Sequence, residues 1–510
     1  MEEQNLFDPV PVDRFQILSK EELVELCKQH QKIIAIVTKD NTRLRSLNEE
    51  LKQKSLLIED QYIIIKNKLF GKSSERSSKN SEGKANGESK DKKKKVLLPS
   101  ERYPNSPLIE RHITLDKMPE CSCCGSTMQD SGLTEESEYL TKIPAQYYVV
   151  VQIRHKYGCN KCHGDIKTAP VPPRIKEGSS YSDELMIDVA VSKYCDLIPI
   201  ERQAKMAGRE GLMALPPQSL IESSHYVADF LKSAYARLRD EVLRALVLNA
   251  DETPHRMLEG DKKNNWFLWG FSTPRSSYFE CHDTRSGDVA SQLLIRSNCV
   301  FLVSDVYTGY AKAVRETNEL RAKLGLPPIT HVYCNAHARR YFKQAGEGFP
   351  EEARFYLNQY RKIYRLEKLA KNNPDKRAKI RERIRKYFEK IRDKCISDIG
   401  AYSNKSKLGK AMGYFLKNYE GLTRFINNTD LPIDNNSQER LLRSPVIGRK
   451  TWYGTHSKRG AETAAILFSL VESCKLNKVN PREYFKNLVQ DLHQGKKAYT
   501  PSEYKDLQKN

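Results

Sequence analysis

No stretch of this 510-residue sequence is apolar for long enough to cross a bilayer, so a helical membrane span is excluded. The opening residues, Met1-Glu2-Glu3-Gln4-Asn5, lack the basic start and apolar core of a secretory leader, and a cytoplasmic location is expected. Acids are in deficit: 65 Asp and Glu face 86 Lys and Arg, which leaves a formal charge of +21 and a pI near 9.3. A surplus of that size favours a polyanionic partner, nucleic acid before others. The 12 cysteines, in a long chain without a leader, argue against a disulfide scaffold and for metal binding or buried thiols. At this length several domains are expected.

Glycine and proline are missing from Glu21 to Phe70. Apolar residues recur there every seven positions at Leu23, Val37, Leu44, Leu51, Ile58 and Ile65, with His30 the exception. A second seam carries Leu26, Ile33 and Leu47 but fails at Asp40 and Lys54. One good and one patchy seam predict a coiled coil over 19–70 that pairs protomers, the other possibility being a long helix packed on its own chain. Residues 71–100 change character. Ser, Lys, Gly, Asn and Glu dominate, with the run Asp91-Lys92-Lys93-Lys94-Lys95. Such a stretch cannot bury a core and reads as a flexible basic linker.

Two cysteine pairs follow within 101–175. Cys121 and Cys124 have two residues between them, as do Cys159 and Cys162, and 34 residues separate the pairs. Each pair fits a tight knuckle that donates two thiolates to one tetrahedral Zn²⁺. Four thiolates leave no open position, so the zinc is structural. Cys123 is a spare thiol that could replace Cys121. Between the knuckles, Tyr147 to Ile153 reads as a strand.

Residues 180–242 are helical in pattern. Ser182 can cap one helix, Pro199 can open a second, and Ser219 can cap a third running past Leu231 towards Leu238. Gly208 and Gly211 supply turns. Short helices around a glycine turn suit a helix-turn-helix that binds DNA, or an ordinary bundle.

From Leu243 the pattern alternates strand and helix. A buried strand, Leu246 to Ala250, delivers Asp251. Strands around 266–271 and 277–281 and a short helix follow. A fourth strand, Val300 to Ser304, delivers Asp305, and a fifth covers His331 to Cys334. Three antiparallel strands, a helix and further parallel strands is the order of a ribonuclease-H-like sheet, split here into 243–342 and 431–510 by a helical insertion at 343–430. In that fold the first and fourth strands are neighbours, so Asp251 and Asp305 should lie side by side. Downstream, Asp434-Asn435-Asn436-Ser437-Gln438-Glu439-Arg440-Leu441-Leu442-Arg443 reads as the start of a helix. Its Glu439 would complete a carboxylate cage, with Glu252 and Asp434 as possible substitutes. Mg²⁺ prefers carboxylate oxygen and retained water. Two Mg²⁺ roughly 3.5–4 Å apart would activate a water or 3′-hydroxyl and stabilise the leaving oxygen in phosphodiester attack. Arg440, Arg443, Arg449, Lys450, Lys458 and Arg459, beside Trp452 and Tyr453, suit phosphate contact and base stacking. Arg339 and Arg340, in the helix that also carries His337, are further DNA-binding candidates.

These pieces together resemble the insertion sequence 66 family of bacterial DDE transposases. The resemblance is carried by Lys68-Leu69-Phe70-Gly71-Lys72-Ser73-Ser74-Glu75, by the cysteine pairs, and by Ala250-Asp251-Glu252-Thr253-Pro254. It continues in Ser304-Asp305-Val306-Tyr307-Thr308-Gly309-Tyr310, Cys334-Asn335-Ala336-His337-Ala338-Arg339-Arg340, and Asp434-Asn435-Asn436 through Glu439, Arg440 and Arg443. Family members usually carry glycine where Val306 stands. The resemblance implies Asp251, Asp305 and Glu439 as the acidic triad, a zinc-binding domain, a helix-turn-helix and an insertion before the glutamate. It implies a nucleoid-associated enzyme that binds the terminal inverted repeats of its element, cleaves there, and joins the freed 3′-hydroxyl to target DNA. A homodimer or higher oligomer and accessory proteins from the same element would be its partners. The same features also suit a non-catalytic DNA-binding regulator or a stand-alone Mg²⁺-dependent nuclease.

Overall fold

The computed structural model describes residues 19–70, 98–104, 106–113, 117, 119–120, 122–128, 137–142, 146–158, 166–212, 215–258 and 265–508. The linker expected up to residue 100 lies outside them as far as residue 97. The chain divides into two compact units, one of 1–73, 154–206 and 214–510, the other of 74–153 and 207–213.

In the smaller unit a single helical turn, Pro99–Arg102 (α2), donates the Ser100 backbone N–H and hydroxyl to Glu138 at 2.8 and 2.9 Å. Tyr147 to Ile153 is exposed and forms no β-ladder among the described residues, so it is not a strand. Strand propensity without a partner makes no ladder.

The larger unit begins with α1, Lys20–Phe70, 51 residues long, where the sequence lacks helix breakers. Leu44 and Leu51 on its expected seam are 55% and 53% exposed. A small antiparallel ladder, β1 Lys156–Gly158 with β2 Ile166–Thr168, comes next in this unit.

The helix α3, Asp183–Tyr194, is capped by Ser182 as its sequence predicts, the hydroxyl accepting from Leu185 N–H at 3.2 Å. Helix α4 runs Ile200–Arg209. The third expected helix is two. Pro216 caps α5, Pro217–Phe230, with Pro217 in its first turn, and Leu231 breaks the chain before α6, Lys232–Leu243. Proline's fixed φ opens a helix better than Ser219 two residues later. Buried side chains of α3, α5 and α6 share a core with α16, Lys458–Leu476, and α17, Pro481–His493.

At the centre stands a five-stranded mixed sheet in the order β5-β4-β3-β6-β7. Its strands are β3 Val247–Arg256, β4 Asn265–Ser272, β5 Ser277–His282, β6 Phe301–Ser304 and β7 Thr330–Tyr333. The first three are antiparallel, while β3 and β6, and β6 and β7, pair in parallel. Helices α7, Gly287–Leu294, and α8, Thr308–Lys323, cover one face through Val289, Leu294, Tyr310 and Ala313, against Leu248, Ala250, Trp269, Phe271 and Leu302 of the strands. On the opposite face Leu268 and Phe279 meet α16, and Val303 and Val332 meet the helical insertion. Edge strand β5 is closed by α16, whose Ser469 and Ser473 hydroxyls accept the backbone N–H groups of Phe279 and Ser277 at 2.8 and 2.9 Å.

After β7 come α9, Asn335–Ala345, and the insertion helices α10 Pro350–Asn372, α11 Arg377–Asp398, α12 Lys407–Lys417 and α13 Tyr419–Thr423. They pack on the sheet: Tyr356, Tyr360, Phe388 and Phe415 are fully buried in one core with the sheet's Val303 and Val332. Arg381, also fully buried, pairs with Glu367 and donates to the carbonyls of Phe425, Asn428 and Leu431. That arginine shapes the return of the chain to the sheet. The rest is α14 Asn436–Leu441, α15 Arg443–Trp452, then α16, α17 and α18, Pro501–Leu507. Among the described residues no helix is long and apolar enough to cross a membrane.

Candidate active site

Side chains alternate across a strand, so residues of like parity share a face. On β3, Leu248 and Ala250 enter the core beneath α7 and α8, which puts Asn249 and Asp251 on the other face. The parallel register pairs Asn249 with Val303. Two residues further along each chain stand Asp251 and Asp305. The expected strand end at Ala250 is corrected. Strand β3 continues to Arg256 because β4 pairs with it from Asn249 onward. Asp251 therefore sits inside a strand, at the level where β6 has just ended and Asp305 begins the following turn. The Asp305 carboxylate accepts the Tyr307 N–H at 3.0 Å, which fixes that turn.

Glu439 arrives from α14, held there by contacts between residues far apart along the chain. Asn435 is buried and bridges strand to helix: its amide donates to Ala250 O at 2.8 Å and its side-chain oxygen accepts from Asn249 at 2.8 Å. Its backbone N–H points to Cys334 Sγ at 3.1 Å. Buried Asn335 does the same from the other side, donating to Leu422 O and Ile433 O at 2.8 and 3.1 Å. Gln438, wholly buried, lies over Gly270, the partner of Asp251 on β4. A Cβ on Gly270 would stand 2.1 Å from Gln438 Nε2. Glycine at this position leaves room for the buried Gln438 side chain and for the Phe279 ring, 2.8 Å from the same point. The only sequence signal for this was a glycine inside an aromatic strand.

The resulting electrostatics join the three acids. Burial, then the charges of Glu252, Asp305 and Glu439, push the Asp251 carboxyl up to about 8. Glu439 Oε2 accepts from Arg340 Nη2 at 3.2 Å, and Oε1 lies 3.7 Å from His337 Nδ1. Both Glu439 Oε1 and His337 Nδ1 are buried without a hydrogen-bond partner. Cys334 Sγ, His337 and Glu439 offer ligand atoms within 4.8 Å of one another. Crowded carboxylates and an orphaned oxygen beside a ring nitrogen fit a divalent cation.

The two substitute acids are otherwise engaged. Glu252 points to the opposite face, accepting from Arg285 Nε and Nη2 at 2.8 and 2.6 Å and from Tyr310 OH at 2.6 Å. Asp434 accepts from Asn436 N–H at 3.1 Å and from its amide at 2.7 Å, tying the turn before α14.

Arg339, Arg340, Arg440, Arg443 and Lys450 are exposed around this region. Arg449 is half-buried and donates to Pro254 O, clamping α15 to β3. Arg459, grouped with the phosphate candidates by sequence, instead pairs with Glu222 and Asp229 at 3.0 and 3.1 Å. Tyr453, 70% exposed, holds a left-handed φ of 65° at the end of α15.

Of the cysteine pairs, Cys121, Cys159 and Cys162 lie outside the described residues. The first knuckle is visible around Cys124. A Glu120–Thr127 bridge and a Met128 N–H to Pro119 O bond of 2.8 Å close a loop that turns at Gly125, φ 70°. Cys123 and Cys124 are both exposed on it, and Cys124 Sγ stands 3.5 Å from Ser126 Oγ.

Residues 119–163 match the zinc-finger binding domain of transposase IS66, which supports a structural zinc. Three proteins of Sinorhizobium fredii, each described only as uncharacterized, are similar. The protein y4hP is 24% identical over 408 residues, 75% of this chain and 72% of its own. The protein y4jD is 27% identical over 390 residues, 74% and 75% of the two chains, and y4qI is 28% identical over 379 residues, 71% and 68%. Residues 178–463, more than half of the chain and all of the sheet, match the transposase IS66 family. The chain belongs to the IS66 family of transposases.

Proposed function

We propose that this transposase binds the terminal inverted repeats of its element, cleaves DNA there, and joins the freed 3′-hydroxyl to a target. Asp251, Asp305 and Glu439 are its catalytic acids, on a sheet of the ribonuclease-H-like kind. The observation that carries this reading is that the buried Asp251 carboxyl is pushed up by burial and by the charges of Glu252, Asp305 and Glu439, the last two from elements far away along the chain. These acids would hold two Mg²⁺ ions. When bound, the ions supply Lewis-acid activation of the attacking oxygen and stabilise the leaving one.

The chain's own residues do the positioning. Asn435 fixes α14 to β3 and thereby sets the height of Glu439 above Asp251. Arg340 restrains one oxygen of Glu439. Tyr310 and Arg285 keep Glu252 turned away, so the acid beside Asp251 does not enter the site. Arg339, Arg440, Arg443 and Lys450 present cationic side chains to DNA phosphates. The exposed seam of α1 pairs two protomers, and the helices of 180–242 help place the element ends. Cys121, Cys124, Cys159 and Cys162 hold the zinc.

The test is incubation of the protein with DNA carrying inverted-repeat ends and Mg²⁺, with nicking and joining scored separately. Both should occur, and Asp305→Asn should retain DNA binding while losing both. Binding without any strand breakage would mean a regulator. Nicking without joining would mean a nuclease.

A further inference from the structure

We propose that His337 is a nitrogen ligand of the cation that Glu439 holds, so that this position prefers Mn²⁺ to Mg²⁺. The inference rests on reading Glu439 as a metal-binding acid.

His337 lies in the first turn of α9, directly after β7, and Arg340 stands three residues on, so both side chains look to one side of the helix. They divide the Glu439 carboxylate between them. Arg340 takes Oε2 at 3.2 Å, while Oε1 faces His337 Nδ1 at 3.7 Å. That separation is too long for a hydrogen bond. It is close to the spacing of two atoms bound to one ion, since metal–ligand distances of about 2.0–2.2 Å put neighbouring ligands roughly 3–3.5 Å apart. Both atoms are buried and lack any other partner. A buried acceptor and a ring nitrogen left facing each other are accounted for by an ion between them.

The two halves of the site then differ in chemistry. Asp251 and Asp305 offer oxygen alone, which suits Mg²⁺. At Glu439 an imidazole nitrogen joins the carboxylate; Mg²⁺ keeps to oxygen and water, whereas the first-row divalent metals, of which Mn²⁺ binds least tightly, accept nitrogen as well. Cys334 Sγ lies in the same group but already accepts the Asn435 N–H.

Mn²⁺ alone, titrated into the full-length zinc-loaded protein, tests this by electron paramagnetic resonance. Pulsed spectra of the bound ion should show coupling to a directly ligated ¹⁴N nucleus, a signature that needs no variant. His337→Ala and His337→Gln should remove that coupling and weaken one class of Mn²⁺ sites about 10-fold or more. Their Mg²⁺ affinity should stay within about 2-fold, because Mg²⁺ gains little from nitrogen. Bound Mn²⁺ that depends on Asp305 and Glu439 yet shows no ¹⁴N coupling would overturn the histidine's role and leave the acids standing. Mn²⁺ binding indifferent to Asp305→Asn and Glu439→Gln would overturn both.

Discussion

Asp251 carries the cost of the site. Its carboxyl titrates near 8 when folded, raised by burial and by three neighbouring acids, against about 3.9 in an unfolded chain. The folded form therefore keeps a proton that the unfolded form releases. Stability from this group is complete below about pH 4 and is lost as pH climbs towards 8. Asp251→Asn removes that loss. In the absence of added divalent cation the variant should be about 1–3 kcal/mol more stable than the parent at pH 8 and about equal at pH 4. Thermal unfolding at the two pH values measures this, and equal melting points at pH 8 would contradict the crowding. The placement of Asp251 and Asp305 beside each other was legible from apolar runs that each lead into an acid, on strands that pair in parallel. The exclusion of Glu252 was not, because only the strand's extension past Ala250 and its alternation show which acid faces which side. The roles of Asn249, Asn335 and Asn435 were hidden for a related reason. Their partners lie about 90–190 residues away along the chain, and no local pattern encodes that.

At the scale of elements, α14 is too short to hold itself in place. Six residues make less than two turns, so its orientation comes from Asn435 below and Gln438 over Gly270. Gly270→Ala should push α14 off β4 and displace Glu439. Cleavage should fall at least about 10-fold, as a 1 Å misplacement of a catalytic group can cost 100-fold, while DNA binding persists. Unchanged cleavage in that variant would show that the approach of α14 is not needed. The succession of strands and helices and the 51-residue helix were readable from sequence because both depend on local periodicity, whereas the pairing of the first strand with the fourth was an expectation from the fold that this succession suggested. The break at Leu231 was not, since no glycine or proline marks it. The insertion was recognisable as helical, yet its role in steering the chain back to Glu439 rests on one buried arginine, Arg381. On a basic helix that residue looks like any other surface charge.

The whole molecule combines a basic chain, a zinc module and a long exposed helix with the sheet. Self-association through α1 predicts that Leu44→Asp with Leu51→Asp lowers the sedimenting mass towards one protomer while the unfolding of the core is unchanged. An unaltered mass would leave the apolar seam without a partner of its own kind. The zinc module predicts about one zinc per chain by metal analysis, lost in a Cys159→Ser, Cys162→Ser variant. A folded protein without zinc would contradict it. The central claim is that Asp251, Asp305 and Glu439, drawn from β3, the turn after β6 and α14, work on one phosphodiester. Glu439→Gln tests it most directly, because this residue is farthest from the others in sequence and keeps its shape in the variant. In Mg²⁺, on DNA with inverted-repeat ends, the variant should bind as the parent does and yield neither nicks nor joined products. A Glu439→Gln protein that cleaves at the parent's rate would show that the glutamate is no part of the catalytic site.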